Sequence, residues 1–209
     1  DASLNAETGT GKTLAYLLPI FCRIDATAAA TQVVIVAPTH ELAIQIQRQS
    51  CDLAQHAGWP IRTLLLIGGT SMTRQIDKLK TRPHIVVRAP GRILELMSMG
   101  KLKAQSVRSV VIDEADRLLI EESLPGIRAI IQAMPRGRQL VFASATEQPE
   151  SAKAIAALAP ELIMLQVGAA PVNANIEHLY LVCEGRDKPA VLRQLLHALR
   201  PERAMVFAH

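Results

Sequence analysis

The stretch ASLNAETGTGKTLAYLL at residues 2–18 combines a strand-like lead, a glycine-rich loop and a helical pattern. Its centre, residues 6–13, matches the phosphate-loop pattern, in which four variable residues separate a small residue from Gly-Lys-Thr. Gly9 and Gly11 let the backbone turn so that its N–H groups point at an anion, and the helix that begins near Lys12 adds its positive dipole end. The stretch therefore predicts a phosphate-binding strand, loop and helix.

The loop pattern assigns its residues to a bound nucleotide. The predicted nucleotide-binding residues are Ala6, Glu7, Thr8, Gly9, Thr10, Gly11, Lys12 and Thr13. Lys12 should reach the β- and γ-phosphates, and Thr13 should offer its hydroxyl to Mg²⁺. Pro19 should kink or end the helix that follows the loop.

Two adjacent acids follow a buried strand a hundred residues further along. Asp113 and Glu114 come directly after the apolar run at residues 110–112. Carboxylates at the end of a buried strand are costly unless a cation or a catalytic water needs them. In a phosphate-loop enzyme, Asp113 would hold Mg²⁺ mostly through water, and Glu114 would orient and deprotonate the attacking water. The alternative is an acidic first turn of a helix, which the phosphate loop makes less favoured.

Short apolar runs rich in β-branched residues alternate with helical patterns along the chain. The predicted strands are residues 33–36, 61–67, 84–88, 110–112, 139–143 and 162–167. Near-continuous apolar strands are typical of burial on both faces, and residues 41–56 show helical spacing between two of them. The alternation predicts an α/β fold with a mostly parallel central sheet and helices on both faces. Functional loops should follow the carboxyl ends of the strands.

The chain resembles the DEAD-box ATP-dependent RNA helicases, because residues 113–116 spell Asp-Glu-Ala-Asp. Other family motifs follow the expected order, at residues 6–13, 38–43, 68–69, 89–92 and 144–146. The resemblance covers roughly residues 2–167. It implies a RecA-like P-loop NTPase domain that binds ATP and Mg²⁺ on one side and the RNA backbone on the other. The implied activity is an RNA-stimulated ATPase that remodels RNA duplexes or RNA–protein complexes.

The resemblance also assigns roles to individual residues. The catalytic residues would be Lys12, Asp113 and Glu114, with Thr13 and Asp113 at the metal. The residues that couple the ATP state to RNA binding would be Asp116, Ser144 and Thr146. The RNA-binding residues would be Pro38, Thr39, His40, Gly68, Gly69, Pro90, Gly91 and Arg92.

Several of these residues have simpler structural interpretations. Thr39 follows a strand and precedes a helix, so its hydroxyl can cap that helix or meet a phosphate. Gly68 and Gly69 permit close approach of a sugar-phosphate chain, but an ordinary tight turn explains them equally well. The hydroxyls at residues 144–146 can bond the acids at residues 113–116 if the two strands are neighbours, or cap a helix. The sequence leaves these alternatives open.

Basic residues are concentrated in one segment of a chain whose formal net charge is +4. Residues 74–108 hold nine Lys or Arg and two acids, a local net charge of +7. Such an excess attracts a polyanion if the side chains share a face, and it favours phosphate binding by Arg92. Aromatic residues make up 3% of the chain and are absent from the loops above. We therefore expect sequence-independent contact with the RNA backbone rather than base stacking.

The sequence departs from the family pattern at several positions. His40 stands where the family usually has Arg, so RNA binding there should be weaker or pH-dependent. Ala89 replaces a usual Thr, and residues 117–122 lack the usual Gly-Phe. The family's adenine-recognising glutamine motif would lie before Asp1. The arginines of a second domain are also missing, and arginine fingers contribute roughly 10³–10⁵ in rate. These residues alone are therefore expected to bind nucleotide and RNA weakly and not to unwind.

Composition predicts the domain organisation and the cellular setting. Residues 1–167 form the predicted ATP-binding domain, residues 168–175 a linker, and residues 176–209 a truncated start of the second RecA-like domain, with a strand at 176–182 and a helix at 187–199. The 49% hydrophobic and 20% charged residues exclude a disordered chain.

Three distant cysteines, Cys22, Cys51 and Cys183, argue against a disulfide framework or a thiolate metal site. The expected location is the cytoplasm, with a nuclear one open. The expected partners are RNA and the second RecA-like domain in cis, with no membrane. The alternative functions are a DNA-directed helicase and a non-catalytic RNA clamp or scaffold.

Overall fold

A computed structural model of the chain describes residues 1–7, 9–66, 71–146, 148–167, 177 and 179–207. The chain divides into two compact units, Asp1–Ala169 and Ala170–His209. The predicted linker at residues 168–175 lies outside the described residues. In the part of the chain that is described, no helix has the length and apolar character needed to cross a bilayer.

The described residues of the first unit form a seven-stranded sheet. Its strands are β1 (Ala2–Asn5), β2 (Val33–Val36), β3 (Thr63–Leu65), β4 (Ile85–Arg88), β5 (Ser109–Asp113), β6 (Gln139–Ser144) and β7 (Ile163–Gln166). They lie in the order β3-β4-β2-β5-β6-β1-β7, and each pairing is parallel. The mostly parallel α/β sheet predicted from the alternation is confirmed.

Helices cover both faces of this sheet, as predicted. They are α1 (Lys12–Phe21), α2 (His40–His56), α3 (Met72–Leu79), α4 (Pro90–Ser98), α5 (Ala115–Leu118), α6 (Leu124–Ala133) and α7 (Pro149–Leu158). Successive strand residues point to opposite faces. Val33 and Ile35 therefore join one hydrophobic cluster with α1 and α2, whereas Val34 and Val36 join another with α3, α4, α6 and α7.

The strand order separates two groups of predicted site residues. Because the strands are parallel, the loops that follow them meet at one edge of the sheet, which we call the carboxyl edge, and the opposite edge is the amino edge. The loops after β1, β5 and β6 carry residues 6–13, 113–116 and 144–146. The loops after β2 and β4 carry residues 37–39 and 89–92. The first three strands are neighbours in one half of the sheet, and β2 and β4 are neighbours in the other.

Two boundaries differ from the sequence-based prediction. The strand predicted at residues 61–67 contains only Thr63–Leu65 among the described residues. Helix α1 continues through Pro19 and ends two residues later at Phe21. Proline removes one backbone hydrogen bond, but the burial of Ile20 and Phe21 holds the last turn against the sheet.

The second unit contains α8 (Lys188–Leu199), which matches the helix predicted at residues 187–199. The strand predicted at residues 176–182 is wrong for the described part, residues 177 and 179–182, which are not assigned to a strand. Tyr180 and Val182 are 88% and 90% exposed. A strand requires a neighbour to complete its hydrogen-bond ladder, and the sheet pairings among the described residues include none for this segment.

Candidate active site at the carboxyl edge of the sheet

The glycine-rich loop joins the end of β1 to the start of α1. Gly9 and Gly11 have φ angles of 87° and 92°, in the left-handed region that favours glycine. A Cβ built at either position would meet no described atom within 4 Å. Glycine is therefore needed at these positions for the backbone conformation and not for lack of space. Helix α1 begins directly after Gly11. Thr8, the remaining position of the predicted loop, lies outside the described residues.

Lys12 is the first residue of α1, and its side chain bends back over the loop. Its Nζ donates a hydrogen bond to the Ala6 carbonyl. Burial lowers the pKa of Lys12, and attraction to Asp113, Asp116 and Glu114 offsets part of that effect. The ammonium group therefore lies within electrostatic reach of all three carboxylates that follow β5.

Asp113 is held by two hydrogen bonds. Its Oδ2 accepts from the Tyr16 hydroxyl at 2.8 Å, and its Oδ1 accepts from the Glu114 backbone N–H at 2.9 Å. Burial raises the pKa of Asp113, which is only 3% exposed, and these hydrogen bonds offset part of the rise. The Thr13 side chain also acts on the Tyr16 phenol, and it lowers the pKa of that phenol against the larger effect of burial. One phenol thus connects Thr13 and Asp113, the two residues predicted to hold the metal.

Tyr16 is the residue of this site that the sequence analysis missed, because it was considered only as part of the helical pattern that follows the loop. Burial raises its pKa well above the usual value, and the charge of Asp113 adds to that effect. A signal was available, because Tyr16 lies three residues after Thr13 and so on the same helix face. A tyrosine on a buried face needs a partner for its hydroxyl.

Glu114 has an uncommon backbone conformation for a residue other than glycine. Its φ of 49° and ψ of 54° lie in the left-handed region. Such conformations cost roughly 1–2 kcal/mol, and they cluster at functional sites. The turn directs the Glu114 carboxylate toward Arg117, whose Nη1 lies 3.0 Å from Oε2.

The loop after β6 contacts both neighbouring loops. The Thr146 Oγ1 donates to Asp116 Oδ2 at 2.5 Å, and the Ala6 backbone N–H donates to the Ser144 carbonyl at 3.2 Å. The Ser144 hydroxyl donates to the Thr146 carbonyl at 2.6 Å rather than to an acid. The sequence predicted that the Ser144 and Thr146 hydroxyls bond the acids at residues 113–116. Among the described residues, Thr146 makes such a bond and Ser144 does not.

The donor set fits Mg²⁺. Thr13 and Asp113 offer a hydroxyl and a carboxylate, and Mg²⁺ prefers such hard oxygen ligands, usually one or two carboxylates together with waters and substrate phosphates. Within the described ranges there is no cluster of three or more His, Cys, Asp or Glu that could hold a metal ion. Thr13 and Asp113 would therefore hold the ion jointly with phosphate oxygens and water.

In the other half of the edge, local contacts hold the predicted RNA-binding residues. Thr39 caps α2, because its Oγ1 accepts from the Leu42 N–H at 3.2 Å, while His40 is exposed and Pro38 half-buried. Capping was one of the two alternatives for Thr39. The other predicted positions here, Gly68 and Gly69, lie outside the described residues.

The loop after β4 begins α4 with Pro90 and Gly91. Proline suits the first turn of a helix because its missing N–H has no helical partner there. The Arg92 Nη1 lies 2.8 Å from Glu95 Oε2 and 3.6 Å from Met72 Sδ. Arg92 therefore pairs with a carboxylate of its own helix.

Arg88 is a second arginine at this loop that the sequence analysis did not select. It ends β4, is half-buried and donates to the Leu66 carbonyl. Burial, and then the nearby charge of Arg92, lower the pKa of its guanidinium. Its buried Nε has no partner among the described residues. A charged side chain that ends an apolar strand was the signal used for Asp113, and it applies equally here.

The basic segment divides between the two edges of the sheet. Three of its nine cations lie near the carboxyl edge: Arg74, Arg88 and Arg92. The other six follow the ends of α3 and α4 or lie in the last turn of α3, toward the amino edge: Lys78, Lys80, Arg82, Lys101, Lys103 and Arg108. The local charge therefore supports phosphate binding by Arg92 less strongly than the sequence predicted.

A phosphate loop after β1 and an acid-tipped β5, separated by β6, define a phosphate-loop NTPase domain of the RecA-like type. The chain belongs to the DEAD/DEAH box helicase family, whose family model matches residues 1–155. The resemblance inferred from the motifs is confirmed.

Two bacterial relatives illustrate the similarity in sequence. The chain is 40% identical over 197 residues to the DEAD-box ATP-dependent RNA helicase CshC of Bacillus cereus, a match that covers 94% of this chain and 50% of that protein. It is 40% identical over 208 residues to the probable ATP-dependent RNA helicase YfmL of Bacillus subtilis, covering 99% of this chain and 54% of the relative. The chain thus spans about half the length of these relatives.

Solved structures are similar in fold. A DEAD-box protein from the hyperthermophile Methanococcus jannaschii matches 94% of this chain and 52% of its own, with a TM-score of 0.70 and 26% identity. A hypothetical ATP-dependent RNA helicase from Sulfolobus tokodaii matches 80% of this chain and 48% of its own, with a TM-score of 0.68 and 28% identity.

Proposed function

We propose that the whole protein is an ATP-dependent RNA helicase, an RNA-stimulated ATPase that remodels RNA duplexes or RNA–protein complexes. The observation that carries this proposal is the convergence of Lys12, Thr13, Asp113 and Glu114, from the loops after β1 and β5, at one edge of the sheet. The names of the bacterial relatives, which describe ATP-dependent RNA helicases, support the same activity.

The chemistry follows from the side chains at these loops. Lys12 exchanges the Ala6 carbonyl for the β- and γ-phosphates when nucleotide binds. Thr13 and Asp113 would hold Mg²⁺, which would supply positive charge to the phosphate oxygens when bound. Glu114 orients the attacking water and accepts its proton. In the structure Glu114 pairs with Arg117 through Oε2.

Coupling to RNA runs through the strand between the two nucleotide loops. β6 pairs with β1 on one side and with β5 on the other, and its tip contacts both loops through Ser144 and Thr146. RNA binds across the loops after β2 and β4, where Thr39, His40 and Arg92 lie. A backbone contact of this kind carries no base sequence information.

A second RecA-like domain in cis would supply the arginines that complete the ATP site. These 209 residues alone would then bind nucleotide and RNA weakly and hydrolyse ATP slowly. We propose a cytoplasmic location, which the three free cysteines support because disulfides are rare in reducing compartments. Fractionation of cells that produce the whole protein tests the location.

The decisive experiment compares the whole protein with its Glu114→Gln variant in steady-state ATPase assays, with and without single-stranded RNA. Loss of the general base should lower RNA-stimulated turnover about 10²- to 10⁴-fold, while the affinity for a fluorescent ATP analogue should change little. Glu150→Gln, an exposed acid in the first turn of α7, is the matched control. Unchanged turnover by Glu114→Gln would remove the proposed catalytic role.

The two alternative functions give different results in the same assay. A DNA-directed enzyme would be stimulated at least as strongly by a DNA strand of matched sequence as by RNA, because a 2′-hydroxyl contact distinguishes the two sugars. A clamp or scaffold would bind RNA without multiple turnovers of ATP. Either result would replace the proposed function.

A further inference from the structure

A basic cleft lies at the amino edge, away from the motif loops. Its volume is about 410 Å³. Its floor includes Ile76 and Leu79 of α3, and residues that precede β2 form one wall. Its charged lining residues are Lys80, Arg82, Lys101 and Lys103. None of the described lining residues is acidic or aromatic, so the cleft suits an anion bound by charge rather than by stacking.

The turn that carries two of these cations is braced by the body of the domain. Arg82 has a φ of 51°, and its carbonyl accepts from Arg62 Nη2 at 3.0 Å. The next carbonyl, of Pro83, accepts from the Thr31 hydroxyl at 3.0 Å, and the fully buried His84 accepts from the Arg62 N–H at 3.0 Å. The position of this turn is therefore fixed before any ligand arrives.

Carboxylates neutralise little of the charge of the cleft. Among the described ion pairs, Lys80 is the lining cation with a partner, Asp77 at 2.7 Å. The two side chains are 74% and 57% exposed, and exposed pairs contribute about 0–1 kcal/mol. An incoming phosphate can replace Asp77 at little cost.

Helices α3 and α4 link the cleft to the loop that carries Arg92. Helices α3 and α4 both run from the carboxyl edge to the amino edge, and they span about 12 and 14 Å at 1.5 Å per residue. Near their first turns Arg92 contacts Met72. At the other end of the two helices, Leu79, Lys80, Arg82 and residues 100–103 line the same cleft. The exposed Lys78, in the last turn of α3, extends the basic surface between the two ends.

We propose that this cleft binds a second stretch of RNA backbone, which follows the α3 and α4 surface from the Arg92 loop to the amino edge. The proposal rests on the proposed function, because it extends the RNA path of the same domain. The two helices shared with the Arg92 loop and the excess of positive charge favour RNA over an acidic protein as the ligand. The contact is made to phosphates, so it adds affinity and no sequence preference.

The test measures RNA affinity of the whole protein as a function of salt. A Lys101→Gln, Lys103→Gln double variant removes two cations from the cleft, and Arg48→Gln with Lys153→Gln removes two exposed cations of the same unit that do not line it. With labelled polyuridine and fluorescence anisotropy, the slope of log K against log salt should fall by about 1.4 for the cleft variant, since each single-strand phosphate contributes about 0.7. The distant pair should leave the slope unchanged. Equal slopes for the two double variants would overturn the proposal.

Two further measurements separate failure of this proposal from failure of the proposed function. Arg92→Ala reports on the RNA loop itself: if it weakens polyuridine binding while the cleft variant does not, the cleft proposal fails and the proposed function stands. If the wild-type protein does not bind polyuridine at low salt, the proposed function fails as well. If the cleft variant loses binding to polyglutamate but keeps the RNA slope, the cleft is a docking site for acidic protein and the proposal is overturned.

Discussion

The two halves of the carboxyl edge hold their polar residues in different ways. Around the phosphate loop, hydrogen bonds join residues distant in sequence, such as Tyr16 with Asp113, 97 positions apart, and Thr146 with Asp116, 30 positions apart. In the half formed by β2 and β4, Thr39 and Arg92 contact residues three positions further along their own helices. Arg92 and Arg88 in that half also contact Met72 and Leu66, 20 and 22 positions away. The nucleotide half is therefore preorganised by tertiary contacts, whereas the local contacts of Thr39 and Arg92 in the RNA half can be exchanged at low cost.

The largest stability effect is expected from Thr146→Val, which breaks a contact between the loop after β6 and helix α5 in the nucleotide half. Asp116 is 9% exposed, and its Oδ1 already has no partner among the described residues. Loss of a hydrogen bond to a charged group costs about 1.5–3 kcal/mol, and the lower end applies because Thr146 is itself exposed. Thermal unfolding should show a fall in Tm of several degrees.

Thr81→Val is the control for Thr146→Val. Its hydroxyl donates to the Lys78 carbonyl, an exposed neutral contact three residues back in the chain. This variant should lower Tm by less. Equal falls in Tm for Thr146→Val and Thr81→Val would contradict the expected difference between a contact of distant residues and a local one.

Asp113→Asn should stabilise the domain at neutral pH. Burial raises the pKa of Asp113 in the folded chain, so the folded state binds more protons than the unfolded state between the ordinary carboxyl pKa and the raised one. Stability from this group is therefore present at acid pH and is lost as pH rises through the folded pKa. Urea unfolding should find the variant more stable at pH 7, with a difference that shrinks toward pH 4. A variant less stable than the wild type at pH 7 would contradict this account.

Tyr16→Phe tests the link between the two predicted metal residues. The folded state should lose about 1 kcal/mol with the hydrogen bond to Asp113. Residues that orient a metal ligand typically change metal affinity 10- to 100-fold, and we expect about tenfold. The measurement is binding of a fluorescent ADP as a function of Mg²⁺ concentration: the Mg²⁺ midpoint should rise while affinity without Mg²⁺ is retained. An unchanged midpoint would mean that the phenol has only a packing role.

The smallest effect is expected from Glu95→Ala in the RNA half. Its ion pair with Arg92 spans three residues of α4, and the Glu95 side chain is 50% exposed. Exposed pairs contribute about 0.2–1 kcal/mol, so Tm should hardly change. Release of Arg92 should raise polyuridine affinity about twofold at low salt, a gain that the exposed Glu122→Ala should not reproduce. A large loss of stability would show that the RNA half is as interlocked as the nucleotide half.

The fold was predictable where the signal is local. Each buried strand of the first unit carries its own apolar run, so the parallel sheet could be inferred without knowing which strands are neighbours. The same reasoning failed at residues 176–182, because an apolar run becomes a strand only when another strand pairs with it. Tyr180 and Val182 are apolar enough to suggest a strand, yet both are exposed.

The site was predictable to the same extent. The phosphate loop and the acids after β5 are contiguous motifs, and their meeting at one edge follows from parallel strands. Tyr16 and Arg88 were missed because their roles depend on partners from other elements, Asp113 and the Leu66 carbonyl. The net charge of residues 74–108 was counted correctly, but most of these cations lie toward the amino edge rather than near Arg92. A count of charges cannot tell which end of a helix lies at which edge of the sheet.

The placement of β6 has a consequence for variants that touch no ligand. At the carboxyl end of β6, Ser144 contacts the phosphate loop and Thr146 contacts Asp116 after β5. Phe142, within the strand, is fully buried. A change in the volume of that phenyl ring would shift one strand and, with it, the relative alignment of both loops. A substitution at Phe142, which lies outside every motif, would then change both ATP turnover and its stimulation by RNA.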